Sequence, residues 1–172
     1  MRNDKNFLIP FTGLKIGTHQ FNFEVDDLFF EERDYSILKK GELCVDVTLE
    51  KKETMMIALF FIKGQVSMPC NRCTEYVGHN INTEYKLIYT FGDEDLGDDG
   101  IVVLPSNAFE LNISQQLYEF ITISVPSRVV HDDGECNEEM IAVLNKHLSF
   151  ERKNDNNADD VDPRWEALKG LN

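Results

Sequence analysis

Leu43, Val45, Val47 and Leu49 alternate with Cys44, Asp46, Thr48 and Glu50, a period of two that gives a strand one apolar and one polar face. The pattern predicts a half-buried strand with Cys44 on its polar side, a connection at Lys51-Lys52-Glu53, and a second strand over 54–68. In this second strand Met55 to Ile62 is apolar on both faces, and Gly64 marks an expected bulge before Val66 and Met68. Ile81, Thr83, Tyr85, Leu87 and Tyr89 alternate again as a return strand. Upstream, Phe7 to Leu14 reads as a short opening strand, with Pro10 placing it at an edge and Thr12-Gly13 as a turn. Lys15 to Val25 is a further strand with Phe21, Phe23 and Val25 on one face, and Asp26 or Asp27 caps a short helix beginning at Leu28.

Past Phe91-Gly92 the period changes. Five acids fall between Asp93 and Gly100, but the calcium-loop register and its closing Glu are missing, so a solvated loop is expected there. Ile101 to Leu104 is a short strand stopped by Pro105. Ile113, Leu117, Phe120, Ile121 and Ser124 then fall at helical spacing, with Asn112 and Gln115 as a capping box and Pro126 as the stop. Glu138 to Leu148 forms a second amphipathic helix through Met140, Ile141, Leu144 and Leu148. The predicted class is α+β: an antiparallel, strongly twisted or barrel-like β-sheet with one or two packed helices and a C-terminal helical tail. Residues 1–150 are expected to form a single α+β domain.

Residues 151–172 are expected to be a flexible acidic linker ending in a short helix. Asp162 offers an N-cap and Pro163 the first helical position, and Trp165, Leu168 and Leu171 share one face. Pro163, Arg164, Trp165 and Leu168 are therefore candidate partner-binding residues, docking either on this chain or on another protein.

Charge narrows the choice of partner. Thirty-one acidic residues against 17 basic give a formal net charge of −14. Docking on a phosphate backbone depends on Lys and Arg displacing counterions, so the chain is a poor general nucleic-acid binder and its partner should be basic. Lys39-Lys40, Lys51-Lys52 and Arg128 are the residues from which a local basic patch could still be built. No apolar run approaches the ~20 residues of a membrane span, and the cysteines are not spread as a disulfide framework, so a reducing, cytoplasmic setting is expected.

The chemistry concentrates in Pro69-Cys70-Asn71-Arg72-Cys73 and in His131 to Cys136. Cys70, Cys73, His131 and Cys136 together are three sulfurs and one imidazole, a donor set suited to tetrahedral zinc. The C-x-x-C lies at a strand–strand connection, as in zinc knuckles. Two other readings stand beside it: a structural turn with buried thiols, and a redox pair, which requires a helix N-terminus to lower one thiol pKa. His19, His79 and His147 are isolated, and no catalytic constellation is visible.

The C-N-R-C of residues 70–73, the P-S-R-V-V-H-D-D-G-E-C of residues 126–136 and the terminal D-P-R-W-E-A-L-K-G-L resemble the YceD-like proteins, the large ribosomal RNA subunit accumulation proteins. The likeness runs from about Leu43 to the C-terminus, and the D-P-R-W ending is similar to that of a Bacteroidetes-type member. It implies a non-enzymatic role in large ribosomal subunit biogenesis, supporting accumulation of 23S ribosomal RNA. The implied partner is a ribosomal protein such as L32 or a large-subunit precursor, with ribosomal RNA met indirectly or through a local basic patch. Neither a membrane nor a small-molecule substrate is implied. Some members carry a second C-x-x-C where this chain has His131 and Cys136. The alternatives are a zinc-dependent or thiol-redox enzyme, and a protein that delivers zinc or a ribosomal protein.

Overall fold

The computed structural model describes residues 7–92 and 100–154, with side chains through residue 148. The expected acidic loop at 93–99 and the tail residues Pro163, Arg164, Trp165 and Leu168 lie outside the described residues. The described residues form two compact units, one running to Pro69 and resuming over Tyr76–Val129, the other of Cys70–Glu75 and the residues from Val130.

The first unit is built on a five-stranded sheet. Its strands are β2 (Gly17–Val25), β3 (Lys40–Lys51), β4 (Met55–Pro69), β5 (Tyr76–Phe91) and β6 (Ile101–Leu104), in the spatial order β2-β3-β4-β5-β6. A separate two-stranded sheet pairs β1 (Leu8–Pro10) with β7 (Glu110–Asn112). Among the described residues this unit has two helices, α1 (Asp27–Glu31) and α2 (Ser114–Ser124). The class is α+β, and the large sheet is open, with β2 and β6 as its edges. It is not wholly antiparallel: β6 runs parallel to β5, with Ile88 opposite Ile101. Alternation alone does not report the direction in which two strands pair.

Side-chain alternation is what fixes the register, because a one-residue slip would turn every apolar group outward. Leu43, Val45, Val47 and Leu49 of β3 are buried, as are Met56, Ala58, Phe60 and Ile62 of β4, while Cys44 is exposed as its place on the polar face requires. Although β4 is apolar on both faces in sequence, only one is buried, and Leu59 and Phe61 on the other stay exposed. Phe60 and Tyr85 on the buried face meet Phe120 of α2, Tyr85 stacked at 4.3 Å between ring centres. From α1, Phe29 packs edge-on to Phe7 and Phe30. Arg33 closes this side: its guanidinium lies 4.0 Å over the Phe29 ring and donates to the carbonyls of Phe29 and Ser114.

Two local expectations are corrected. No bulge forms at Gly64: the β3–β4 ladder runs unbroken through Lys63 to Cys44, Gly64 to Leu43 and Gln65 to Glu42. Glycine is needed there because a Cβ would collide with the Glu42 carbonyl oxygen and approach the Leu43 Cα to 2.6 Å. The capping box at α2 is also absent. Ile113 occupies the N-cap without a side-chain bond, Asn112 Oδ1 accepts from the Ser114 N–H at 2.9 Å, and Gln115 bonds forward to Glu119. At α1 the Asp26 carboxylate does cap, accepting from the Phe29 N–H.

In the second unit the chain from Val130 leads into α3 (Glu138–Asn154), which runs past Leu148, where its apolar periodicity ends, and into the first residues of the expected linker. No described helix is long and apolar enough to cross a membrane.

Candidate metal centre

The ladder between β4 and β5 extends to the pair Pro69 and Tyr76, so Cys70–Glu75 is a tight turn between two strands. Two backbone bonds close it: the Cys70 N–H donates to the Glu75 carbonyl at 2.8 Å and the Thr74 N–H to the Cys70 carbonyl at 2.9 Å. Thr74 takes a positive φ of 64°, unusual for a β-branched residue. The turn curls Cys70 and Cys73 to one side, and both are buried.

The other donors come from His131 to Cys136. This loop turns at Asp132-Asp133-Gly134-Glu135, where Gly134 has a φ of 91° and the Glu135 N–H donates to the Asp132 carbonyl. Asn137 follows and starts α3, its Oδ1 accepting from the Met140 N–H at 3.1 Å. Its amide nitrogen donates to the Glu75 carboxylate at 2.7 Å, tying the loop to the turn. Arg72 and Asp133 add an exposed ion pair at 3.7 Å, of the sort that contributes little in water.

The ligand atoms of Cys70, Cys73, His131 and Cys136 all lie within 4.8 Å of one another, so the four could hold a metal ion. Cys70 Sγ is 3.9 Å from Cys136 Sγ, Cys73 Sγ is 3.4 Å from His131 Nδ1, and Cys136 Sγ is 4.0 Å from the same nitrogen. A tetrahedron with Zn–S near 2.3 Å and Zn–N near 2.0 Å has edges of about 3.8 Å between sulfurs and about 3.5 Å from sulfur to nitrogen. These three separations are close to that size, so the donor set suits the cation in chemistry and lies near its spacing.

Burial pushes the Cys70 thiol up, but the backbone N–H groups of Cys73 and Arg72, together with the backbone and ring of His131, pull it further down, to about 5. The Arg72 N–H lies 3.4 Å from Cys70 Sγ. Cys136 is pushed up to about 11, by burial first and then by the neighbouring sulfurs of Cys70 and Cys73. Without metal, Cys70 thus offers a cation a thiolate at neutral pH, and Cys136 a thiol whose proton leaves on binding.

All four residues singled out from the sequence as metal donors come together, while His19, His79 and His147 do not join them. His19 instead bonds the Lys15 carbonyl at 2.8 Å through Nε2. Of the lysines considered for a basic patch, Lys51 is occupied, its ammonium donating to the carbonyls of Phe11 and Leu14 at 2.9 Å each. Sequence reasoning missed Asn137 and Thr74. The first was legible as an N-cap residue directly before Glu138-Glu139; no glycine marked the second.

A small α+β protein with a Cys3His cluster between a strand–strand turn and the start of a helix is thereby defined. The profile of the family described as "Large ribosomal RNA subunit accumulation protein YceD" matches residues 60–172, which include all four cluster residues. The chain belongs to the YceD family. Searches of the curated proteins and of the solved structures find no match.

Proposed function

We propose that this protein is a non-enzymatic factor in large ribosomal subunit biogenesis, acting in the cytoplasm to support accumulation of 23S ribosomal RNA. Membership of the YceD family carries this reading. In the same reading Cys70, Cys73, His131 and Cys136 hold one structural zinc ion. Three sulfurs and a nitrogen within 4.8 Å of one another support zinc over harder cations. Four protein donors fill the coordination sphere, whereas zinc hydrolases keep a position open for water, so the cluster is a staple rather than a reaction centre. Thiol exchange is less favoured because the C-x-x-C lies in a turn between strands, not at a helix N-terminus.

The partner in this proposal is basic, a ribosomal protein such as L32 or a large-subunit precursor, as the net charge of −14 favours. Pro163, Arg164, Trp165 and Leu168 are proposed to contribute to that contact. Depleting the protein and measuring 23S against 16S ribosomal RNA tests the role. A selective fall in 23S, with the tagged protein sedimenting alongside large-subunit precursors and not mature ribosomes, is expected; unchanged 23S levels on full depletion overturn it.

A further inference from the structure

One face of an antiparallel sheet commonly turns polar side chains to water. The outward face of this sheet departs from that rule along β4, where successive outward positions are Ile57, Leu59 and Phe61. Leu59 and Phe61 are 37% and 43% exposed. The register sets Ile88 of β5 beside Ile57, so the apolar groups are contiguous, not the scattered exposed residues that any surface carries. In this unit α2 packs on the opposite face, through Phe60 and Tyr85.

The flanks of Phe61 are anionic. Asp46 on β3 and Glu84 on β5 are the cross-strand neighbours of Phe61, and Glu50 is the neighbour of Ile57 on β3. Glu42 and Glu24 continue the same face on β3 and β2. Against these carboxylates the face sets Lys40, Lys63 and Lys86, the last beside Leu59, and Lys52 pairs with Glu50 at 3.4 Å; among the described residues Glu24, Glu42 and Glu84 form no ion pair.

We infer that this face docks a basic polypeptide, with an apolar side chain of the partner seated on Leu59 and Phe61 and its lysines or arginines meeting Asp46 and Glu84. The charge pattern selects that occupant. An aromatic platform for single-stranded RNA needs cations beside the ring to take the phosphates, and here both lateral neighbours of Phe61 are anions. A second copy in a two-fold arrangement would oppose like carboxylates across the contact. The inference deepens the proposed function and rests on it for the identity of the natural partner, but not for the existence of the surface.

The test uses the full chain and a fluorescent synthetic peptide of alternating lysine and leucine, with its glutamate–leucine counterpart as control. The basic peptide alone should bind, more weakly as salt rises. Asp46→Lys with Glu84→Lys, and separately Leu59→Ser with Phe61→Ser, should each weaken binding by about tenfold or more while melting as the wild type does. Glu84→Gln, too mild to disturb folding, should give a smaller loss in the same direction. Equal affinity in all variants overturns the inference. So does tighter binding of a single-stranded RNA oligonucleotide that is lost in Phe61→Ser, or a dimer of the wild type that the Leu59 and Phe61 changes dissociate. These outcomes are read without ribosomes, so loss of the surface and loss of the 23S role are separate results.

Discussion

The amide of Asn137 donates to the Glu75 carboxylate at 2.7 Å while its oxygen caps α3 at the Met140 N–H. One side chain therefore fixes the start of the helix and binds the Cys136 loop to the Cys70–Glu75 turn. Its neighbour Cys136 is one of the four candidate ligands, so the position of the bond sets where that sulfur sits. Asn137→Ala is expected to cost about 1–2 kcal/mol, since both a cap and a charge-assisted bond are lost. It should also weaken zinc retention about tenfold, as loss of outer-shell support does. Chemical denaturation and chelator competition check the two effects.

Zinc content itself is directly measurable. Purified protein is expected to contain one zinc per chain by elemental analysis, and Cys73→Ser to lose it. Chelation should lower Tm, because binding energy at such a site is folding energy. Cys44→Ser, at the exposed thiol on the sheet's polar face, should leave zinc content unchanged. A Cys73→Ser protein that keeps its zinc and Tm would show that the cluster is not the site. One that loses zinc yet melts as before would favour a delivery role over a staple.

Thr74 holds a φ of 64° directly after Cys73. A left-handed conformation costs a residue with a Cβ roughly 1–2 kcal/mol. Thr74→Gly is therefore expected to raise stability by about 1 kcal/mol without loss of metal, after allowing for the extra freedom glycine gives the unfolded chain. Thermal melting of the zinc-loaded variant is the check.

Gly64 and Gly13 make a contrasting pair. A Cβ at Gly64 meets the backbone of Glu42 and Leu43 in the paired strand, whereas nothing lies within 4 Å of one at Gly13. Gly64→Ala is expected to destabilise by about 2–3 kcal/mol or more, because neither strand can yield without breaking the ladder. Gly13→Ala should fall within about 0.5 kcal/mol of the wild type. Urea titration of both variants distinguishes close backbone approach from a general intolerance of alanine.

Tyr89 is fully buried, its hydroxyl has no hydrogen-bond partner among the described residues, and burial raises its pKa above the ordinary phenol value. The folded state then holds the phenolic proton more tightly than the unfolded state. Its contribution to stability is complete below about pH 10, the unfolded value, and is lost as pH rises beyond it. Tyr89→Phe removes the unsatisfied oxygen, so it is expected to be neutral or stabilising by up to about 1 kcal/mol at pH 7. It should also flatten the alkaline fall in stability. Denaturation at neutral pH and above pH 10, with Tyr89→Phe matching the wild-type alkaline fall, would show that another group governs it.

The sequence by itself determined the strands, because a two-residue period has only one arrangement that buries Leu43 to Leu49 and Met56 to Ile62. It also named Cys70, Cys73, His131 and Cys136 as candidate donors, since sulfur and imidazole are the groups zinc takes, but only folding sets the two stretches side by side. Tertiary structure decided what no local pattern encodes. The parallel pairing of β6 with β5 is not written in the alternation of either strand. Gly64 is required by the carbonyl of another strand, and a bulge and a close approach call for the same residue. Apolar residues on both faces of β4 look alike in sequence, yet packing against Phe120 buries Phe60 and leaves Phe61 outside. The Asn137–Glu75 bond joins residues far apart in the chain, and only folding makes them neighbours.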